Sequence, residues 1–356
     1  MGRRWAQFVM HDRRRSWVLY QRVSEWPEDL PVVMEASFGW GRLCDILQEL
    51  CLGPHLANCF KVDRMREARG CVKTNGKDAD LPSLLPLEAS NWWEVWLAPP
   101  EVRDRREWMR FRMSLVALGA ATENRIQALF HRHGIFHEFS DLFGAARRKF
   151  LVELCREGKT PDVQLPAGAL AALRGQVRLL DQIRQQLAEV GKHLRQELER
   201  SDLARRLDGI PGIGLILAHV LMAEIGQIGR FPGQEALASY SLLAPRAIDT
   251  GEPDPPRAPL GRKLGWAGNH TLKWAFIEAA RGAVRKGGKW RKIFDGYTNG
   301  GRNHRNRGYI KVARELVKVV KVVWRKGVDY SDSPPPRPGS RRRLLHRVAE
   351  PNGFGS

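Results

Sequence analysis

Between residues 173 and 198 the apolar positions Leu173, Val177, Leu180, Ile183, Leu187, Val190, Leu194 and Leu198 step by three and four. Charged residues fill the intervals, as in a coiled-coil seam. Two helices of one chain or of two chains would show the same spacing, so the arm is read either as a self-association element or as half of an intramolecular hairpin. Helical periodicity begins near Val102, where Trp108, Phe111, Leu115 and Leu118 recur and continue towards Ile126 and Phe130. A short connection around His133 to Phe139, with a turn-forming Gly134, follows. Near the far end Ile310, Ala313, Val317, Val320 and Trp324 form one more apolar stripe. The first hundred residues have a different rhythm. The runs AQFVM, SWVLYQRV, PVVMEAS and HLANCFKV predict short strands, with helical stretches around Leu43 to Leu50 and Lys61 to Arg69, which is an α/β pattern.

Charge changes the picture of the last helix. Beside its apolar stripe, Lys311, Arg314, Lys318, Lys321 and Arg325 recur at spacings of three, four, three and four, so one face is predicted to be basic from end to end. A solvated surface face would look alike, but the flanking GGRNHRNRG and the tail PPPRPGSRRRLLHR are basic too. The 356 residues hold 59 Lys and Arg against 39 Asp and Glu, a formal charge of +20 that points to a polyanionic partner. With 43% hydrophobic residues the chain builds real cores, two or three domains' worth, which excludes a disordered basic tail protein. An apolar signal core and a membrane-length apolar run are both missing, which predicts a cytoplasmic protein without membrane contact. Five cysteines without a CxxC pair indicate small buried hydrophobes, with neither a zinc site nor a disulfide framework. From Ser331 onward the chain is Pro- and Arg-rich and is expected to be disordered.

Three motifs carry candidate chemistry. In IPGIG, Gly212 and Gly214 permit a hairpin between two helices whose amides face one phosphate, a helix-hairpin-helix arrangement; a tight inter-helix turn is the plainer alternative. In APRAIDTG, Thr250 is a secondary hydroxyl beside a carboxylate and a glycine, able to attack a phosphodiester, although a DTG string is more commonly a turn. Ser239 and Ser241 lie nearby in an apolar helical setting that favours packing. In the N-terminal half Glu35 ends the run PVVME, Asp78 and Asp80 lie in KTNGKDADL, and Asp12 lies in MHDRRRSW. As a set they suit the hard oxygen donors that Mg²⁺ takes in phosphoryl transfer, whereas each alone reads as a surface acid. Trp92, Trp93 and Trp96 either stack on exposed bases or, as the safer reading, pack in a core.

In this order, VVMEAS, KTNGKDADL, EWMRFRMSLVALGAATENRIQALFHRHGI, IPGIG, ASYSLLAPRAIDTG and GNHTLKWAFIEAA resemble the transposases of insertion-sequence family 110. The resemblance implies a shortened RuvC-like (RNase H fold) DEDD domain over residues 1–100 and a helical, coiled-coil region over 101–200. It further implies a mainly α C-terminal transposase domain with the helix-hairpin-helix element over 201–330, followed by a basic disordered tail over 331–356. Carried over residue by residue, Glu35 matches the second acid, Asn75 and Asp78 match the aspartate pair, and Asp12 is the nearest candidate for the first acid. Asn75 departs from the pattern, since an amide oxygen brings no charge to Mg²⁺ unless Asp80 substitutes. The family's serine falls on Thr250, counted from Pro245, where the added methyl restricts χ1.

The implied function is Mg²⁺-dependent cleavage and rejoining of donor and target DNA by a homo-oligomer, dimer or tetramer, through a covalent hydroxyl–phosphate intermediate. An element-encoded guide RNA would choose the sites, in a bacterial, nucleoid-associated setting. Two other readings stay open: a catalytically decayed paralogue that binds nucleic acid, and a RuvC-like structure-specific nuclease that uses water.

Overall fold

The computed structural model describes residues 20–21, 23–36, 39–68, 70, 94–144, 147–244 and 268–332. These fall into two compact units, 1–99 and 100–356.

In the first unit, β1 (Pro31–Glu35) and β2 (Gly53–Ala57) pair in parallel, and a two-residue β3 (Glu94–Val95) adds antiparallel to β2. A parallel pair needs a crossover, and helix α1 (Trp40–Glu49) supplies it. Strand alternation sorts the side chains. Val32 and Met34 pack with Ile46, Leu47 and Leu52, while Val33 packs on the other side with Val62 and Met65 of α2 (Cys59–Ala68). The small sheet is therefore covered by helix on both faces, which bears out an α/β pattern for the N-terminal part.

The strand expectations hold only in part. The run PVVMEAS is β1, but HLANCFKV splits: Gly53–Ala57 is strand, whereas the stretch from Cys59 belongs to α2. The described end of SWVLYQRV is helical, with Ser24 N–H donating to Tyr20 O at 2.9 Å. AQFVM lies outside the described residues. Apolar runs this short do not separate strand from buried helix.

The second unit is helical. α3 (Pro100–Arg132) and α5 (Ala167–Arg200) form a long antiparallel hairpin, in which Trp108 stacks on His193 with ring centroids 4.1 Å apart and Gly119 faces Ile183. Leu173, Leu180, Ile183, Val190 and Leu194 of the predicted seam are buried in this one-chain packing. Of the positions read as the α3 stripe, Leu115, Ile126 and Phe130 are buried, whereas Phe111 and Leu118 are exposed. The remote end of the hairpin closes on a separate small core that includes Phe130, Ile135, Leu142, and Leu151 and Leu154 of α4 (Arg148–Glu157).

At the other end α6 (Asp202–Asp208) leads through a turn into α7 (Leu215–Ile225), whose sequence LILAHVLMAEI is apolar on nearly every side. Such a helix belongs in the middle of a domain, and from Ala218 to Ile225 every residue is buried. Around it pack α3, α5, α6 and α9 (His270–Lys286); α10 (Gly288–Thr298) and α11 (Arg305–Lys326) complete the bundle, with α8 (Gln234–Tyr240) against α11. Among the described residues no helix is long and apolar enough to cross a membrane. Of the described cysteines only Cys44 is buried, so the expectation of buried cysteines fails for Cys51, which is exposed, and for the half-buried Cys59 and Cys155.

Candidate nucleic-acid interface

On α11 the stripe Val312, Ala313, Leu316, Val317 and Val320 is fully buried, which turns the opposite side of the helix outward. Arg314 and Arg325 are exposed there. Lys311 and Lys318 both reach Glu315, each with Nζ donating at 3.0 Å, so this pair of cations is partly neutralised within the protein. Burial pushes the Glu315 carboxyl up, but the hydrogen bonds and charges of Lys318 and Lys311 outweigh it and hold the group below the usual carboxylate range. Lys321 corrects the expectation of a face that is basic from end to end. It is 8% exposed, and its Nζ donates to Phe231 O at 2.9 Å. The 3-4 spacing drifts around the helix and carries this lysine onto the buried side.

The exposed cations extend well beyond that row. Residues 281–326 hold fifteen lysines and arginines against two acids, Asp295 and Glu315, so this segment accounts for +13 of the chain's +20. Arg285 and Lys286 end α9, Gly287 and Gly288 turn the chain at φ 87° and 61°, and Lys289 and Lys292 open α10, all four cations being exposed. Arg302 and Arg305 are exposed at the start of α11. The signal for the first group was present as the string RKGGKWRK, which has no helical period and so escaped a search for stripes. Gly308 brings α10 and α11 together, since a Cβ there would lie 2.3 Å from Thr298 Cγ2. The two cationic segments are thereby held on one bundle.

The turn between α6 and α7 contains both expected glycines. Gly212 has φ +87°, and it abuts α9: a Cβ on it would meet Ala279 O at 2.1 Å and Ala283 N at 2.5 Å. Gly282 returns the contact, with Gly212 Cα 3.0 Å from where its Cβ would be. Packing against α9 is thus sufficient reason for glycine at 212. Gly214 differs. It is the N-cap of α7 in extended conformation, with open space where a side chain would be.

Of the acids, Glu35 lies at the carboxyl end of β1, opposite Ala57 of β2. In parallel α/β sheets ligands bind beyond that edge. Cys59 is its neighbour: burial, together with the charge and hydrogen bonding of Glu35, pushes the thiol up, and Sγ donates to Ala36 O at 2.9 Å. Glu35 offers the hard oxygen that Mg²⁺ prefers, at a position where a ligand can approach. Among the described residues no group of three or more His, Cys, Asp or Glu could hold a metal ion. Asp12, Asn75, Asp78, Asp80 and Thr250 lie outside the described residues, as do Trp92 and Trp93. Ser241 is buried, its Oγ donating to Leu237 O at 2.7 Å, whereas Ser239 is exposed.

Residues 204–295 match the family described as transposase IS116/IS110/IS902. The chain is 28% identical over 178 residues to an uncharacterised 43.6 kDa protein of insertion element IS110 from Streptomyces coelicolor, covering 49% of this chain and 40% of that one. It is also 22% identical over 302 residues to a transposase for insertion sequence element IS1328 from Yersinia enterocolitica, covering 81% and 86% of the two chains. The chain thus spans about two fifths of the first relative and most of the second.

Proposed function

The chain belongs to the IS116/IS110/IS902 family of transposases, and from that premise we propose that it cuts and rejoins DNA at an insertion sequence, with Thr250 as the attacking hydroxyl. The observation that carries the DNA-binding part is the concentration of +13 formal charge in residues 281–326, which continue directly from and overlap the family-matched stretch. Exposed cations on one bundle neutralise phosphates without reading bases. In this reading Arg285, Lys286, Lys289, Lys292, Arg302, Arg305, Arg314 and Arg325 contact the backbone, joined by Lys311 and Lys318, and Lys321 serves the fold instead.

Glu35, with Asp12, Asp78, Asp80 and Asn75, would hold Mg²⁺. That ion supplies charge neutralisation for the phosphate under attack. The Thr250 Oγ1 forms the new ester bond to phosphorus as the 3′ or 5′ oxygen of the cut strand leaves with a proton. The ester conserves the bond for rejoining, so no external energy source is required. A guide RNA chooses the sites in this reading, and a homo-oligomer brings the acids of one protomer to the hydroxyl of another.

Asn75 and Thr250 favour one alternative, a copy that binds but does not cut. The discriminating experiment incubates the protein with Mg²⁺, RNA copurified with it, and DNA carrying the element junctions, then denatures the mixture on a gel. Protein-linked DNA that disappears in Thr250→Ala is expected. Cleavage that persists in Thr250→Ala assigns the nucleophile to water, and binding without cleavage assigns the chain to the decayed class.

A further inference from the structure

Glu224, in the last turn of α7, has 5% of its surface exposed. A buried carboxylate is costly unless donors surround it. Asn269 Nδ2 donates to its Oε2 at 2.7 Å, and Arg106 Nε lies 4.0 Å from the same oxygen. Arg106 Nε also donates to Ala223 O at 2.9 Å, so the guanidinium covers the end of α7 while facing the carboxylate. Burial holds that guanidinium below its ordinary value, with the Glu224 charge acting against the shift. On the remaining side Arg230 donates to Ile225 O at 3.0 Å and lies 4.6 Å over the Tyr240 ring.

Asn269 is the hinge of this cluster. Its Oδ1 accepts from Leu272 N–H at 2.9 Å and caps α9, while its backbone N–H donates to Tyr240 O at 2.7 Å. Its Nδ2 also reaches the Tyr240 hydroxyl at 3.5 Å. The preceding Gly268 touches the same strip of chain, since a Cβ on it would lie 2.8 Å from both Tyr240 O and Leu242 Cδ2. Residues 240–244 and 268–269 are where the described chain enters and leaves the stretch 245–267. Both ends are fastened to one another, and through Asn269 to one buried carboxylate.

A helix cap alone does not require asparagine. Serine, threonine or aspartate would cap α9 as well. The amide is needed only because one end of the side chain must accept from the helix while the other donates to Glu224.

The geometry points to Glu224 as a positioning residue: acting through Asn269 and Tyr240, it fixes where the two ends of residues 245–267 leave the bundle. This rests on the proposed reading that Thr250, within that stretch, is the nucleophile.

Asn269→Asp tests it, because the cap survives while two acceptors then face each other. The swapped pair Glu224→Gln with Asn269→Asp restores the bond with donor and acceptor exchanged. Asn269→Ser, which keeps the cap and removes the donor, stands in should Asn269→Asp fail to fold. The covalent-adduct rate in a single turnover is expected to fall about tenfold or more in Asn269→Asp, with DNA affinity changed less than about twofold, and to recover in the swapped pair. A structural role alone would not separate rate from affinity. Trypsin cleavage at Arg246, Arg257, Arg262 and Lys263 is expected to accelerate in Asn269→Asp and return to the wild-type rate in the swap.

Wild-type adduct formation in Asn269→Asp, or failure of the swap to rescue, overturns the inference. If the wild-type protein forms no adduct but the trypsin pattern follows expectation, the anchoring stands and the chemistry assigned to Thr250 falls.

Discussion

A Cβ added to Gly212 would lie 2.1 Å from the carbonyl oxygen of Ala279, closer than any real contact of that kind. The glycine is therefore fixed by helix packing as well as by its φ of +87°, which side chains rarely adopt. Gly212→Ala is expected to destabilise the protein by at least about 2 kcal/mol, since backbone strain and overpacking add. Gly214→Ala meets open space at an ordinary φ of −116° and is expected to cost less than about 1 kcal/mol. Urea unfolding of the two variants checks the contrast, and equal midpoints would remove the packing argument.

In the proposed DNA-binding reading, Glu315 competes with nucleic acid for Lys311 and Lys318, both of which it holds in the fold. Glu315→Gln releases both ammonium groups, so binding to duplex DNA is expected to tighten at fixed salt. The slope of log affinity against log salt should steepen by about 0.9 for each lysine that then reaches a phosphate. The same carboxylate contributes to stability, and its pKa is depressed in the fold. Its contribution is present above the unfolded carboxylate value and is lost as pH falls through the lower folded value. Fluorescence anisotropy across a salt series measures the first effect, and acid unfolding of the variant beside the wild type measures the second.

Much of this was legible from period alone, because long helices repeat their apolar residues often enough to be unmistakable. The seam from Leu173 to Leu198 placed α5, and the recurrence of Trp108, Leu115, Ile126 and Phe130 placed α3. What periodicity did not reveal was the helix partner. The seam is satisfied within the chain by α3, whose buried face runs through Met109, Leu115, Gly119 and Thr122, so that Phe111 and Leu118 lie outside. Small residues such as Gly119 mark a close approach but carry no hydrophobic signal. The Glu224–Asn269–Arg106 cluster was illegible for another reason: its members are 163 residues apart at the extremes, and the apolar neighbours of Glu224 in LILAHVLMAEI do not tell which donors meet its carboxylate.

Lys321 and Arg314 are seven residues apart on α11 and behave differently. Lys321→Ala removes a buried hydrogen bond to Phe231 O and the packing of its stem, so a loss of about 1–3 kcal/mol is expected, with the salt slope of DNA binding unchanged. Arg314→Ala and Arg325→Ala change exposed side chains. Each should leave stability within about 0.5 kcal/mol and reduce the slope by about 0.9. A Lys321 variant that lowers the slope as Arg314→Ala does would return that lysine to the phosphate-binding set.

Tyr330 offers a test of the C-terminal packing that needs no nucleic acid. Its hydroxyl is pushed up to about 12 by burial first, then by the hydrogen bond to Asp332 and by that carboxylate's charge. The ring stacks near Trp290 with centroids 6.4 Å apart, so ionising the phenol disturbs the packing at the end of α11. A folded value above the unfolded one means the contribution to stability is complete below about 10, the ordinary tyrosine value. It is lost as pH rises from there through the folded value near 12. Subtracting the tyrosinate absorbance titration of Tyr330→Phe from that of the wild type isolates this group. Its midpoint is expected near 12, and Asp332→Asn should lower it only in part, because burial, the largest cause, remains. A midpoint near 10 in the wild type, on samples whose circular dichroism is still native, would show that Tyr330 does not pack as described.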